Sequence, residues 1–391
     1  MGTRVLHWGP LFALFIIIFI SITSINVILI WWPPLMSWGA FLHMLVYMVW
    51  NGLIFYHFLN AIYIGPGYLP LEWKPDDERD LKFLQYCVFC KGYKAPRAHH
   101  CRKCNRCILK MDHHCPWINN CCGHDNHGYF IMFLFIAVVG CSHSFIILCN
   151  ALYRALNVTW YYYYGNGNDP IIFFNLFELF TVVFSIGLSL GVAIAVGALL
   201  YFQVKSAMKN ETGIETWIIT KAISRRSTDD EDFIYPYDLG SYWKNFSQVL
   251  SFQNGCRPLV QGITDWPLQE STHKYTFTIE QKQQKLNKRQ RVVQYEIVEA
   301  YSGYWFPCSK GYKICCHPPI SDEPRIMLVI GDKVLVSRWK RHWLYGECIL
   351  TNFHKDENSS TEVIRHRGWF PRRCAVEVIG DSPTLERKKE L

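Results

Sequence analysis

Residues 87–122 read CVFCKGYKAPRAHHCRKCNRCILKMDHHCPWINNCC, and the stretch 87–127 gathers eight cysteines and six histidines. Two tetrahedral zinc ions require eight nitrogen or sulfur ligands. A Cys-x2-Cys pair grips one ion because a tight turn brings two sulfurs to the same side, and such pairs recur at Cys87/Cys90 and Cys101/Cys104. Cys87, Cys90, Cys101, Cys104, Cys107 and Cys121, with His100 and His114, supply the eight. Cys115, Cys122, His99 and His113 are left over. Consecutive side chains of an extended segment point to opposite sides, so a His114 facing a metal leaves His113 facing away and free for proton chemistry.

A thiol two residues from a free imidazole, with a carboxylate just before that imidazole, has the composition of an activated nucleophile. The histidine takes the thiol proton, the carboxylate fixes the tautomer and favours the imidazolium, and the thiolate is the reactive species. Cys115 reads as the nucleophile, His113 as its base and Asp112 as the orienting partner. The competing reading is a structural zinc module with His113 and Cys115 as spare ligands, as in a membrane-anchored zinc scaffold or ubiquitin-ligase adaptor. The His-Cys-x2-Cys core does not follow the cross-braced ligand order of such ligases.

The membrane context separates the two. Half of the 391 residues are hydrophobic and 18% are charged, which suits a protein partly in a bilayer. Residues 10–31 carry no charge over the ~20 residues that a spanning helix requires. The run ends in Trp31-Trp32-Pro33-Pro34 without a small-residue cleavage site, so it reads as a retained span rather than a signal peptide. Further spans are expected at about 41–63, 129–152 and 179–203. Residues 64–128 hold ten Lys/Arg whereas 153–170 hold only Arg154, which puts the cysteine-rich segment and both termini in the cytosol. Zinc thiolates and a free thiol survive in that reducing compartment, and disulfides among the 16 cysteines are not expected. Asn51, His57 and His143 within the spans read as interhelical glue, Glu178 as a lumenal-edge residue, and Gly187, Gly191 and Gly197 as sites of close helix packing.

The segment from Cys87 to Phe130, including Asn126-x3-Phe130, resembles the cysteine-rich domain of the DHHC protein S-acyltransferases (palmitoyltransferases). The resemblance implies that Cys115 carries a fatty acyl group taken from acyl-CoA, with palmitoyl-CoA the main donor. It assigns one structural zinc to Cys87, Cys90, His100 and Cys107, and the other to Cys101, Cys104, His114 and Cys121. Acceptors would be cysteines of cytosol-facing and membrane proteins, the bilayer would hold the acyl chain, and Lys94, Arg97, Arg102, Arg106 and Lys110 could meet the CoA phosphates. Gly65-Pro66-Gly67 stands where the family has Asp-Pro-Gly, and Thr212-Gly213-Ile214-Glu215 where it has Thr-Thr-x-Glu. The latter is a capping-box pattern opening an amphipathic helix with Ile214, Trp217 and Ile218 on one side. Asn245-x3-Val249 resembles the family's C-terminal Asn-x3-Val element.

The basic run Gln281–Arg291 reads as a solvated linker helix, and nothing else suggests nucleic acid. From 292 the pattern alternates in short strands punctuated by Gly and Pro (Val292–Val298, Arg325–Val336, Trp343–Glu347, Gly368–Pro371), as in a small β-barrel. Gly331-Asp332, Trp343-x2-Gly346 and Gly368-x-Phe370-Pro371 resemble a Src-homology-3 domain, an adaptor module with Trp343 and Pro371 at groove positions. Glu299-Ala300 and Cys374 depart from that pattern. Cys308, Cys315 and Cys316 are candidates for acylation. Lys388-Lys389-Glu390-Leu391 resembles a cytosolic dilysine retrieval signal, and the whole arrangement resembles an endoplasmic-reticulum member of the acyltransferase family.

The expected fold is a polytopic α-helical membrane protein with four transmembrane helices, a cytosolic zinc-binding cysteine-rich domain and a C-terminal Src-homology-3-like barrel. Its expected segments are 1–64 (two spans), 65–128 (zinc domain), 129–204 (two spans), 205–291 (amphipathic segment and linker), 292–379 (barrel) and 380–391 (tail with the dilysine signal).

Overall fold

A computed structural model describes residues 4–165, 170–226, 232–260, 262–321, 323–351 and 363–378; the dilysine tail lies outside them. The chain forms two compact units, Met1–Gln281 and Lys282–Leu391.

In the first unit, helix α1 (Trp8–Trp31) is followed by α2 (Trp38–Tyr63), which starts where the Ser37 hydroxyl accepts the Ala40 N–H. The cysteine-rich segment then folds as three short antiparallel hairpins: β1 (Gln85–Cys87) with β2 (Gly92–Lys94), β3 (His99–Cys101) with β4 (Arg106–Ile108), and β5 (His113–Cys115) with β6 (Asn120–Cys122). Each turn uses a residue at positive φ: Lys91 at 51°, Asn105 at 51° and Asn119 at 45°. That left-handed step reverses the chain within a knuckle and returns the second strand to the same metal site.

Helix α3 (His127–Leu156) leads through the short α4 (Val158–Tyr164) to α5 (Leu176–Met208). Helices α1, α2, α3 and α5 are long and apolar enough to cross a membrane. They run past the expected spans because polar caps lie outside the apolar runs. Asn175 and Glu178 form a reciprocal capping box at the start of α5, which is what Glu178 does there. Beyond the spans come α6 (Gly213–Arg225), α7 (Tyr242–Ser247) and α8 (Thr276–Gln290). Asn245 ties this segment back, donating to the Met208 carbonyl (3.0 Å) while Val249 packs against Ile131 and Ala207.

The second unit is an antiparallel sheet of β7 (Val293–Ile297), β8 (Lys333–Trp339), β9 (Trp343–Thr351), β10 (Val363–Pro371) and β11 (Ala375–Glu377), ordered β10-β9-β8-β7-β11, with the short helix α9 (Tyr312–Cys316) after β7. Among the described residues the expected barrel is not closed: the sheet is open, without a ladder between β10 and β11. The short turn Arg372–Cys374 joins these two strands, and the three residues of β11 pair with β7. The expected strand 325–336 also breaks, at Gly331 with φ +88°, leaving isolated bridges at Leu328 and Arg325 before β8. Trp343 is fully buried, with its indole N–H on the Ile314 carbonyl (3.3 Å), so α9 covers the position expected to line an open groove. Cys308 and Cys316 are exposed and Cys315 is half-buried.

Candidate active site and metal clusters

Two groups of side chains converge in the hairpins: Cys87, Cys90, His100 and Cys107, and separately Cys101, Cys104, His114 and Cys121, with the potential ligand atoms of each group within 4.8 Å of one another. In the first group the His100 Nδ1 lies 3.5, 3.5 and 3.9 Å from the sulfurs of Cys87, Cys90 and Cys107. In the second the His114 Nδ1 lies 3.7, 3.4 and 3.5 Å from those of Cys101, Cys104 and Cys121. A tetrahedron with Zn–S of about 2.3 Å and Zn–N of about 2.0 Å has S···N edges of about 3.5 Å. Both Cys3His groups are therefore compatible with zinc.

The same hairpin geometry separates the left-over residues from the metal groups. Directly opposed residues of β5 and β6 share a face: His114 opposes Cys121, and His113 opposes Cys122. Cys121 thus stands with the second metal group, whereas Cys122 stands with His113. His113 Nδ1 and Asp112 Oδ2 are 2.6 Å apart. With Nδ1–H donating to the carboxylate, Nε2 is the nitrogen left for a thiol, and His113 interacts with both Cys115 and Cys122.

Asp112 is buried, and burial alone would raise its carboxyl; the His113 bond and the Gly213 N–H outweigh this and hold it below the usual carboxylate range. Burial would lower the imidazole of His113, but Cys122 and the bond to Asp112 raise it above the ordinary histidine value. Burial pushes the Cys122 thiol up to about 11, against the pull of His113.

Gly213, the first residue of α6, donates its N–H to Asp112 Oδ1 (2.6 Å), and Gln203 near the end of α5 donates to Oδ2 (3.2 Å). A carboxylate at a helix N-terminus receives both an otherwise orphaned donor and the positive end of the helix dipole.

Cys115 is buried and borders a cavity of ≈ 460 Å³ between the spanning helices, walled by Ile20, Tyr47, Trp117, Phe133, Cys141 and Gly191 among others. That volume is in the range of ligand pockets, ~300–1,000 Å³. Its α3 wall extends from Phe130 to Ser144, about 21 Å of helix at ~1.5 Å per residue. At the far end Tyr47 and Ser144 share a hydrogen bond of 2.9 Å, beside a bond from Ser21 to Asn51. Helix α1 reaches the site by close approach at Gly9, where a Cβ would sit 2.0 Å from the Pro116 carbonyl oxygen.

Several expectations change. Arg97 and Lys110 are buried and cannot meet CoA phosphates: Arg97 forks onto Glu215 (2.7 Å to each oxygen), and Lys110 donates to the Asn210 side chain (2.6 Å) and the Gln248 carbonyl (2.9 Å). Arg106 spends a donor on the Leu69 carbonyl (3.0 Å), while Arg102 is exposed and Lys94 half-buried. On α6, Ile214 and Ile218 pack inward whereas Trp217 is exposed, and Glu215 between them is buried on Arg97. Gly187 and Gly191 serve as cavity wall: a Cβ at either would meet nothing within 4 Å, so they are not sites of close helix packing. Gln203 and the Gly213 N–H were not singled out from the sequence; a lone glutamine near the end of an apolar run was the only available signal.

Comparison with known proteins agrees with this geometry. The family model for DHHC palmitoyltransferase matches residues 80–220. The chain is 43% identical to palmitoyltransferase ZDHHC6 of Danio rerio over 99% of this chain and 96% of that protein, and 42% identical to palmitoyltransferase ZDHHC6 of Homo sapiens over 97% and 93%. It is 32% identical to probable protein S-acyltransferase 16 of Arabidopsis thaliana over 50% of this chain and 68% of that protein.

Proposed function

The chain belongs to the DHHC palmitoyltransferase family and is a multi-pass membrane protein S-acyltransferase, and we propose that it works through a Cys115 acyl-enzyme. The donor is a long-chain acyl-CoA, mainly palmitoyl-CoA, and the acceptors are cysteines of cytosol-facing and membrane proteins. The observation that carries this reading is the placement of Cys115: its thiol stands beside His113 and borders the apolar cavity between the spans, while eight other Cys and His side chains converge on two separate points.

In the first step the Cys115 proton passes to Nε2 of His113, whose imidazolium is stabilised by Asp112. The thiolate attacks the acyl-CoA carbonyl, the C–S bond to CoA breaks, and the CoA thiolate leaves with the proton from His113. In the second step a substrate thiol gives its proton to Nε2 of His113 and attacks the Cys115 thioester, the acyl bond to Cys115 breaks, and the departing Cys115 thiolate takes that proton back to restore the thiol. The cavity holds the alkyl chain within the bilayer, where each methylene kept from water contributes about 0.8 kcal/mol. We assign the two zinc ions to Cys87, Cys90, His100 and Cys107, and to Cys101, Cys104, His114 and Cys121. Bound there, the ions would lock the hairpins that present His113 and Cys115.

A scaffold or ligase-adaptor role is not favoured by the family. The strand order of the second unit, with Gly331, Trp343 and Pro371, supports a Src-homology-3-like adaptor, whose partner surface is not the Trp343 position because α9 covers it. The charge asymmetry of the connections supports a topology with the cysteine-rich segment and both termini cytosolic, and the membrane assigned in this reading is that of the endoplasmic reticulum. The test of the catalytic reading is incubation of Cys115→Ser protein with labelled palmitoyl-CoA. Loss of hydroxylamine-sensitive label is expected, and label at wild-type level contradicts the reading.

A further inference from the structure

We infer that Gln203 and His127, neither of them in the cysteine-rich hairpins, are positioning residues that fix the plane of the Asp112 carboxylate and through it the orientation of His113. The inference deepens the proposed Cys115–His113–Asp112 reading and rests on it.

Asp112 Oδ1 accepts the Gly213 N–H (2.6 Å), whereas Oδ2 is shared by His113 Nδ1 (2.6 Å) and Gln203 Nε2 (3.2 Å). The Asp χ2 torsion is broad and roughly two-fold, so one donor alone leaves the carboxylate free to swing. A donor on each oxygen, from two different helices, fixes its plane. Gln203 is held in turn: its Oε1 lies 2.6 Å from Nε2 of His127, in the first turn of α3. With Nε2–H donating to Oε1, the amide must aim its NH2 at Asp112; flipped over, it would present an acceptor to the carboxylate and a donor to the imidazole donor. Asp112, Gln203 and His127 are all buried, so water does not replace a lost partner cheaply. The chain His127–Gln203–Asp112–His113 thus ties the cytosolic ends of α3 and α5 to the base that serves Cys115.

The experiment is single-turnover self-acylation of the full-length protein in detergent with palmitoyl-CoA, with zinc content and melting temperature measured on each variant. Gln203→Met, nearly isosteric but without a donor, is expected to slow the first-order rate at saturating palmitoyl-CoA about tenfold, the scale seen when an outer-shell hydrogen bond is lost. The half-saturating concentration and the zinc content are expected to stay unchanged. Gln203→His, which restores an N–H of similar reach, is expected to recover most of the rate. His127→Phe, which leaves the amide in place but releases its orientation, is expected to slow the step, and adding it to Gln203→Met is expected to cost nothing more. A wild-type rate in Gln203→Met and His127→Phe overturns the inference, as does equal loss in the Met and His variants, which would mean packing alone. Asp112→Ala separates the two levels. If it leaves the rate unchanged, the catalytic reading itself fails; if it slows the step while both positioning variants do not, only the present inference fails.

Discussion

Arg97 and Glu215 form a two-pronged ion pair in which both side chains are shut off from solvent (0% and 1% exposed), joining the hairpin segment to the first turn of α6. Tyr235 adds a hydroxyl to the same carboxylate at 2.9 Å, and the guanidinium stacks 4.3 Å from the centre of the Tyr237 ring. Burial would raise the Glu215 carboxyl, but Arg97 outweighs it and holds the group below its ordinary value. Because α6 begins at Gly213, this pair sets where the Gly213 N–H meets Asp112.

Breaking that pair from one side strands a buried charge. Arg97→Met is expected to destabilise the folded protein by about 3–5 kcal/mol, read as a large fall in melting temperature in detergent. Arg97→Met with Glu215→Gln is expected to recover part of the loss. A single variant that melts like wild type would show that Glu215 finds another partner.

His113 carries the proton transfer in this account. His113→Ala is expected to lower the rate of acyl-enzyme formation by about 10²–10⁴-fold, the range for loss of a general base. Zinc content is expected to stay at the wild-type level, since His113 faces away from both metal groups. Loss of a zinc from this variant would place His113 among the ligands.

The adjacent pair Cys121 and Cys122 offers a discriminating contrast. Cys121→Ser is expected to remove one zinc and collapse activity, whereas Cys122→Ser is expected to keep both ions, because Cys122 opposes His113 instead of His114. Elemental analysis of the purified variants decides it, and the reverse pattern would mean that the ligands are exchanged.

The glycine wall of α5 predicts chain-length behaviour. Gly191→Leu and Gly187→Phe place side chains in the cavity, where nothing lies within 4 Å of a Cβ. In competition labelling they are expected to shift preference from palmitoyl-CoA to donors shorter by several carbons, because each excluded methylene forfeits about 0.8 kcal/mol. Unchanged preference would place the chain elsewhere.

The eight clustered Cys and His residues, the left-over His113 and Cys115 and the spans could be read from local sequence, whereas the division of the eight into two interleaved groups came from the family resemblance. Cys-x2-Cys spacing, strand alternation and charge-free runs of ~20 residues all act over short distances. What was not legible depends on which distant groups meet. The charges of Arg97 and Lys110 look like those of any surface base until Glu215, Asn210 and Gln248 arrive from 100 to 138 residues away. Gln203 resembles interhelical glue until Asp112 is placed beside it. Gly187 and Gly191 look like packing positions because an apolar cavity and a tight helix contact ask for the same small residue. The barrel expectation failed at β11, whose length, set by long-range pairing with β7, a turn pattern does not specify.

The most direct measurement is native mass spectrometry of the full-length protein after incubation with palmitoyl-CoA, followed by peptide mapping without reductant. The account predicts a species carrying two zinc ions and one palmitoyl group, the acyl group mapping to Cys115, and a Cys115→Ser protein with two zinc ions and no acyl group. Loss of a zinc on Cys115→Ser, or an acyl-enzyme mapped to a different cysteine, would contradict it.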